Sequence, residues 1–221
     1  MHRSTAALFI GFLILTVLPF TAVAQSSSYG DAMGWYEREA AKGSAKAQYL
    51  LGLLYERGAG QRPRDAEKAF GWFARAAEQG HAEAQYKVGR AYQFGTGIDA
   101  DPGQAILWYR RAAGQGISEA QHNLAYMLEN AIATTRSPDE AVRWYREAAR
   151  NGFGPSQLAL GSVYMRGAGV DRDLAEAWAR LRAAESRKVS AAADARLAIE
   201  KTMTAAQMSQ ARELAKPRLA R

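Results

Sequence analysis

The sequence of 221 residues contains no cysteine. Disulfide bonds and lipid attachment to an N-terminal cysteine are therefore excluded, and no thiolate can help to bind a metal ion. Histidine is also scarce, with three residues in the whole chain. The fold must depend on its apolar core alone, which a chain of this length can supply as one elongated domain.

Long apolar runs are confined to the N-terminus. Residues 6–18 are uncharged and mostly apolar, and they follow the basic residue Arg3. This layout predicts a secretory signal peptide over residues 1–24 with cleavage after Ala24, because the run is too short for a comfortable membrane span. The alternative is an uncleaved N-terminal anchor. We expect a periplasmic or secreted protein with no integral membrane span in its mature form.

An excess of one charge is absent from most of the chain. Residues 25–171 hold seventeen Lys and Arg against sixteen Asp and Glu, whereas the chain from Arg172 onward holds eleven against six. The net charge of +7 therefore belongs mainly to the C-terminal part. In an exported protein this argues against nucleic acid and favours contact with an anionic polymer, a lipid headgroup or an acidic protein surface. The alternative is a solvated basic surface that assists solubility.

Tryptophan marks an internal repeat. The five tryptophans are spaced by 37, 36, 36 and 34 residues, at Trp35, Trp72, Trp108, Trp144 and Trp178. A fixed period in this range is the signature of a stacked-repeat architecture. The first question is therefore what one repeat can form.

One repeat reads as a pair of helices. Small and aromatic residues recur at helical spacing on a first helix, helix A, at Ala69, Trp72, Phe73, Ala76 and Ala77. Gly80 then closes helix A, and a second helix, helix B, runs from Ala84 to Tyr92 before the glycine loop at residues 95–97. A single pair cannot bury its apolar surface, so neighbouring pairs must stack. We expect the tryptophan-bearing stripe to form the contacts between them.

Capping signals and two irregularities refine this pattern. Asp101 with Pro102, and Ser137 with Pro138, read as helix starts. In the third repeat residues 131–135 replace the glycine loop, which predicts a longer or locally helical turn. After Gly169 the tryptophan spacing shortens, which predicts a shift of two or three residues in the last unit.

These residues resemble the Sel-one-like repeat family, which is related to the tetratricopeptide repeats. The family pattern is roughly A-x-x-W-Y-x-x-A-A-x-x-G followed by A-Q-Y-x-L-G-x-x-Y-x-x-G-x-G, and residues 31–186 match it in four clear copies plus one degenerate copy. Plain tetratricopeptide repeats are the alternative, but their period is about 34 residues and they lack the glycine loop. The resemblance implies an all-α, right-handed superhelical solenoid of helix-turn-helix repeats. Residues 25–30 would form a flexible linker.

The C-terminal segment, residues 187–221, reads as capping helices with a basic tail. Thr204 followed by Gln207 is a capping box, so a last helix is expected to begin there. Repeat arrays need atypical terminal units, which explains why this segment departs from the repeat. The alternative is that the last helix docks a partner.

Nothing in the sequence points to an enzyme. His2 lies in the signal peptide, His81 follows a helix-ending glycine, and His122 occupies the position of Tyr49 and Tyr86. His122 is therefore interpreted as a packing variant without an acid, base or metal partner. We expect neither cofactor nor metal. Family members linked to β-lactam hydrolysis are cysteine-rich, which makes a hydrolase the least favoured reading.

The candidate partner-binding residues come from positions two before and two after each tryptophan. The residues two before the tryptophans would line up as an apolar strip along the array, and the residues two after them as a basic strip beside it. The candidate set is Phe70, Ile106, Arg110, Val142, Arg146 and Arg180. Such a surface would fit an extended peptide or helix with acidic groups. The alternative is that the apolar ladder packs against helix B of its own or the next unit.

The resemblance implies recognition rather than chemistry. We expect an exported scaffold or adaptor that binds a protein of the cell envelope, as periplasmic members of the family restrain sensor kinases or assemble polysaccharide export machinery. The alternative is an envelope protein that binds polysaccharide or peptidoglycan.

Overall fold

The computed structural model describes residues 33–58 and 63–219. The predicted signal peptide and linker lie outside these residues. The described residues form eleven helices and no strand: α1 (33–41), α2 (Ala45–Arg57), α3 (Ala66–Glu78), α4 (Ala82–Phe94), α5 (Pro102–Gly114), α6 (Ser118–Glu129), α7 (Pro138–Arg150), α8 (Gly154–Arg166), α9 (Leu174–Ser186), α10 (Ser190–Glu200) and α11 (Ala205–Leu219). The expected all-α repeat solenoid is confirmed.

The helices alternate between the two kinds expected from the repeat. Helix A of the five units is α1, α3, α5, α7 and α9, and helix B is α2, α4, α6, α8 and α10. From α2 to α8, each helix B packs against helix A of the next unit. In the second to fifth units, helix A also packs against helix B of the same unit. The last helix breaks the pattern, because α11 packs against α9. No helix in the described ranges is both long enough and apolar enough to cross a membrane.

Helix starts keep a period of 36 residues to the end of the array. The N-cap residues of α3, α5, α7 and α9 are Asp65, Asp101, Ser137 and Asp173. The Asp101 carboxylate accepts a hydrogen bond from Gln104 N at 3.0 Å. Ser137 occupies the same position without a side-chain capping bond. The predicted register shift after Gly169 is therefore wrong, because Trp178 itself lies two positions earlier in its helix than the other tryptophans.

One position of helix A, which directly follows the tryptophan in the second to fourth units, fills the core of the repeats. The position eight residues after the N-cap is buried in every unit from the second to the fifth, at Phe73, Tyr109, Tyr145 and Leu181. These side chains lie on glycines of the preceding helix B where one is present: a Cβ at Gly52 or Gly89 would be 2.6 or 2.7 Å from the ring of Phe73 or Tyr109. The glycine of the family pattern thus provides space for a ring.

The tryptophans are less buried than expected. Trp72, Trp108 and Trp144 are half-buried, Trp35 is 52% exposed, and Trp178 alone is buried. Each half-buried indole packs against the core of the preceding unit. Tryptophan therefore seals the edge of the inter-unit contact, whereas the following aromatic residue occupies its centre.

A row of buried glutamines joins helix B to helix A. The side-chain amides of Gln48, Gln85, Gln121 and Gln157 donate to the carbonyls of Ala40, Ala77, Ala113 and Ala149 at 3.1, 3.2, 3.1 and 3.0 Å. Each of these carbonyls also accepts a hydrogen bond from the amide of the glycine three residues further on, so the glutamine supplies a second bond that joins helix B to the end of helix A. The repeat pattern contained these glutamines, but their role was not predicted.

The loop after helix B explains both the glycines and their replacement. A Cβ at Gly97 would be 2.1 Å from Ala66 O, so only glycine fits against the start of α3. In the third repeat Ala131 and Ala133 adopt left-handed φ angles of 55° and 53°. The predicted helical turn is wrong, because the loop bends through these two unfavourable alanine conformations. The loop is one residue longer than those after α4 and α8, since α6 ends one residue earlier, and the helix starts keep their 36-residue spacing.

Candidate interaction surface

Helices α3, α5 and α7 leave equivalent side chains at the surface, and these are together called here the helix A face. It consists of Trp72, Arg75, Leu107, Trp108, Arg110, Arg111, Glu140, Arg143 and Trp144. The tryptophans pack on the preceding unit with one side, which leaves part of each indole at the surface. Leu107 is 50% exposed between them. Large apolar groups at a surface are the usual anchors of protein interfaces.

Arginines stack on two of these indoles. The guanidinium of Arg75 lies 4.5 Å from the ring centre of Trp72, and that of Arg111 lies 4.4 Å from the ring centre of Trp108. Each pair is three residues apart on its helix, so the side chains share one surface. The cation–π contact holds the guanidinium in place, and its planar fork of donors can still bind a carboxylate.

The fourth unit carries a different version of the same surface. Trp144 Nε1 donates to Glu140 Oε1 at 3.3 Å, and Arg110 Nη2 of the preceding unit lies 3.5 Å from the same oxygen. A cavity of about 340 Å³ opens beside this group, lined by Glu140, Arg143, Trp144 and Glu147. The helix A face is therefore continuous across the junction between the third and fourth units.

The three predicted arginines do not form one strip. Arg110 is exposed on the helix A face. Arg146 is half-buried and donates to the Tyr164 hydroxyl at 2.7 Å. Arg180 occupies the position that tryptophan holds in the other units, seven residues after its N-cap, and its Nε lies 2.9 Å from Glu176 Oε1. All three arginines lie two residues after a tryptophan. Because Trp178 is displaced by two positions in its helix, Arg180 is not at the helix position of Arg110 and Arg146.

The predicted apolar strip is mostly inside the protein. Ile106 and Val142 are 4% and 2% exposed, so a partner cannot reach them in this arrangement. Their helical position turns them toward the neighbouring helix, which is the alternative that the sequence left open. Any role of this set in binding remains a prediction.

Phe70 differs because it borders an opening. It meets Tyr92 edge-on with ring centres 5.5 Å apart, and it lines a cavity of about 290 Å³ between α2, α3 and α4. The cavity also includes Phe94, which is 63% exposed. Lys87 Nζ binds both carboxylate oxygens of Glu56 at its wall, at 2.9 and 2.6 Å. This opening combines apolar and charged side chains and shares no residue with the helix A face.

The described histidines have structural partners. His81 Nδ1 accepts from Ala84 N at 3.4 Å and its ring stacks on Tyr49, with ring centres 4.6 Å apart. His122 Nδ1 lies 3.0 Å from Ser156 Oγ, and burial lowers the pKa of His122, which favours its neutral form. Ser156 is completely buried, so a substrate cannot reach its hydroxyl. Within residues 33–58 and 63–219, no three His, Asp or Glu side chains lie close enough together to hold a metal ion.

Sequence reasoning missed the arginines that stack on the indoles. Arg75 and Arg111 each follow a tryptophan by three residues, so this spacing was the available signal. The positions two residues from each tryptophan, which define the candidate set, do not include these arginines.

Comparison with known proteins identifies the repeat. The Sel1 repeat model matches residues 45–81, 82–117, 118–153 and 154–179, which together exceed half of the chain. No curated protein shows significant sequence similarity.

Two solved structures share the fold and part of the sequence. One is c5321, a protective antigen of uropathogenic Escherichia coli with a Sel1-like repeat (SLR) fold. It is 31% identical, with a TM-score of 0.79, and the match covers 90% of this chain. The alignment spans only 45% of that protein. The other is a Sel1 repeat protein from Oxalobacter formigenes, at 33% identity and a TM-score of 0.70, covering 78% of this chain and 69% of that one.

The matched repeats and the structural relatives agree on one assignment. Sel1 repeat proteins typically mediate protein–protein interactions, and the fold is generally a non-catalytic scaffold. The half-exposed indoles and stacked arginines of the helix A face have the composition of such a surface. On these grounds the chain belongs to the Sel1 repeat family.

Proposed function

We propose that this protein is an exported interaction scaffold or adaptor that binds a protein of the cell envelope through its helix A face. The observation that carries the proposal is the repeated stack of an arginine on a half-buried tryptophan, Arg75 on Trp72 and Arg111 on Trp108. Two such stacks recur 36 residues apart on consecutive units. A repeated anchor of this kind suits a segment that runs along the array.

The chemistry of the face defines the partner segment. Tryptophan and arginine are the residues that most often dominate binding energy at interfaces, because they combine a large apolar area with directed hydrogen bonds. Arg110 and Arg111 add positive charge beside the apolar Leu107. The partner segment should therefore alternate apolar side chains with Asp or Glu.

Export is the second element of the proposal and depends on residues 1–24. Their layout predicts removal of the signal peptide, so the mature protein should begin at Gln25. Mass spectrometry of the protein recovered from the native host tests this directly. An intact N-terminus on a cytoplasmic protein would contradict it.

A matched pair of leucines tests the helix A face. Leu107 on α5 and Leu197 on α10 are 50% and 49% exposed, so a photo-crosslinking residue at either position should be equally accessible. We expect position 107 to crosslink to an envelope protein in the native host and position 197 not to do so.

Charge reversal makes this test specific. The double variant Arg110→Glu and Arg111→Glu should abolish the adduct at position 107, because an acidic segment would then be repelled. The double variant Arg212→Glu and Lys201→Glu, at two exposed positions outside the helix A face, makes the same change in net charge and is the control. An adduct that survives the double reversal would show that Arg110 and Arg111 do not recognise acidic groups of the partner, and equal adducts at positions 107 and 197 would show that the helix A face is not the binding surface.

Binding of polysaccharide or peptidoglycan is the second candidate. It is favoured by the partly exposed indoles of Trp72, Trp108 and Trp144, because aromatic rings can pack on the apolar faces of sugar rings. Co-sedimentation of the pure protein with purified sacculi separates the two functions, since only this candidate predicts retention without another protein. Retention should then fall for the Trp108→Ala variant and not for the double arginine reversal.

A further inference from the structure

A second candidate site lies at the C-terminal end of the array, where helix α11 meets the fourth and fifth units. A cavity of about 220 Å³ opens there between α7, α8, α9 and α11. Its lining contains four arginines, Arg150, Arg180, Arg187 and Arg218. This cavity is called here the arginine pocket. It shares no residue with the helix A face.

The arginine pocket replaces a glutamine contact that closes the same place in earlier units. The residues that follow helix A as C-caps are Gln79, Gln115, Asn151 and Arg187. Gln79 and Gln115 donate to the side-chain oxygens of Gln48 and Gln85, at 2.7 and 2.8 Å. At the junction between the fourth and fifth units the corresponding glutamine is Gln157, and it accepts a long bond of 3.3 Å from Arg180 Nη1 instead. Arg187 is thereby left available for another role.

The positive charge of the pocket is only partly balanced. Arg180 and Arg218 share one buried carboxylate, that of Glu176, at 2.9 and 2.8 Å. Arg150 pairs with Glu147 at the exposed rim.

Arg187 forms no ion pair with a described residue. Its Nη1 donates to Ala183 O, Ser186 Oγ and Arg218 O, at 3.1, 3.3 and 3.5 Å. Four guanidinium groups therefore face two carboxylates, and one guanidinium binds only neutral oxygens.

The electrostatics of Arg180 agree with this imbalance. Burial lowers the pKa of Arg180, and the positive charge of Arg218 lowers it further, while Glu176 opposes both. Positive groups in a partly dry cavity are stabilised by an anion, and guanidinium forks bind planar carboxylates with two parallel hydrogen bonds. Inside the protein Glu176 already accepts from Arg218 Nη2 through both oxygens, at 2.8 and 3.0 Å.

We propose that the arginine pocket binds a carboxylate group through Arg187 and Arg150, with Arg180 and Arg218 providing the surrounding positive charge. The volume accommodates the carboxylate and the first few atoms that carry it. The carboxylate can belong to the C-terminus of a polypeptide or to a small organic acid. This inference does not depend on the helix A face, because its test uses the purified protein without a partner.

Titration calorimetry with three probes distinguishes the sources. The probes are acetate, a tripeptide with a free C-terminus and the same tripeptide with an amidated C-terminus. A polypeptide source predicts that the free tripeptide binds at least tenfold more tightly than acetate. If the carboxylate belongs to a small organic acid, acetate and the free tripeptide should bind equally tightly. Under both sources the amidated tripeptide should not bind.

Two variants locate the binding. Arg187→Gln introduces the residue found at this position after α3 and α5, so it should fold, and it should weaken binding about tenfold, as loss of one charge-assisted contact does. Arg150→Gln changes an exposed side chain and should also weaken binding. Arg212→Gln, on the exposed side of α11, is the control with the same charge change.

Three outcomes would overturn the inference. The first is that neither acetate nor the free tripeptide binds, and the second is that Arg212→Gln weakens binding as much as Arg187→Gln. The third is that inorganic phosphate binds more than tenfold more tightly than both carboxylate probes, which would assign the pocket to a phosphate group. The reversal of Arg110 and Arg111 should leave carboxylate binding unchanged, so failure of this inference and failure of the proposed function are distinguishable.

Discussion

The middle units and the last unit use the same helix in different ways. In α5 and α7 five of thirteen residues are buried, whereas in α9 eight of thirteen are buried. The difference comes from α11, which covers the side of α9 that the other A helices leave open. The comparison shows that the open helix A face is a consequence of the repeat, because each unit is covered only by its neighbours.

The displaced tryptophan reflects this difference. In the second to fourth units the indole lies at the edge of the helix A face, and the next residue fills the core. In α9 the tryptophan has moved two positions to a buried site, and the vacated position holds Arg180. Since α11 covers this position, the apolar edge is replaced by an ion pair that links Arg180, Glu176 and Arg218.

The largest expected effect separates the core aromatic from the edge aromatic. Tyr109→Ala should lower the free energy of unfolding by about 3–5 kcal/mol, because Tyr109 is completely buried and a cavity would remain. Trp108→Ala should cost less, since part of its indole is exposed and lies at the edge of the core. Urea denaturation of the two variants, compared at equal m-values, measures the difference. A Trp108→Ala variant that is as unstable as Tyr109→Ala would reverse the assignment of core and edge.

A smaller effect tests the ion pairs that distinguish the last unit. Glu176→Gln leaves two poorly hydrated guanidiniums without their shared carboxylate and should cost about 3 kcal/mol of unfolding free energy. Glu140 holds the same helix position in the fourth unit, but its side chain is 27% exposed and its ion pair is open to solvent. Glu140→Gln should therefore cost less than about 1 kcal/mol. Equal losses would mean that α11 does not shield the last unit as described.

The smallest effect concerns one missing hydrogen bond between units. Gln121 Oε1 is buried without a partner among the described residues, and the C-cap residue of the next helix A is Asn151. In the two preceding units a glutamine fills this role. Asn151→Gln should restore the contact and stabilise the protein by about 0.5–1 kcal/mol.

Thermal unfolding measures this change as a rise of roughly 1–3 °C in Tm. The reciprocal variant Gln115→Asn should remove the bond to Gln85 and lower the Tm by a similar amount. If both variants leave the Tm unchanged, the glutamine contacts do not contribute to the junctions between units.

The helices were predictable because their signals are local. Asp101 and Thr204 mark helix starts by side-chain bonds to residues three positions on, and the structure contains both bonds. The alternation of helix A and helix B followed from the 36-residue period. The last unit was misplaced because Trp178 was used as the reference, whereas the capping residue Asp173 keeps the period.

The surface was less predictable because it depends on neighbouring units. Trp108 and Tyr109 are adjacent aromatic residues, and the helix B of the preceding unit, where Gly89 lies against the Tyr109 ring, determines which of them is buried. Arg110 and Arg146 occupy equivalent positions but differ in their partners. Arg146 reaches the Tyr164 hydroxyl, whereas the third unit has Leu128 at the position of Tyr164 and so offers no hydroxyl.

The sequence by itself determined the all-α repeat, its period and most helix ends, because capping and helical periodicity act over a few residues. The tertiary structure decided which aromatic lies in the core, which arginines stay exposed and where α11 packs. These outcomes depend on contacts between residues about 15 to 40 positions apart, such as Arg146 with Tyr164 and Arg218 with Glu176. A pattern repeated in sequence cannot specify them, because equivalent residues meet different neighbours in each unit.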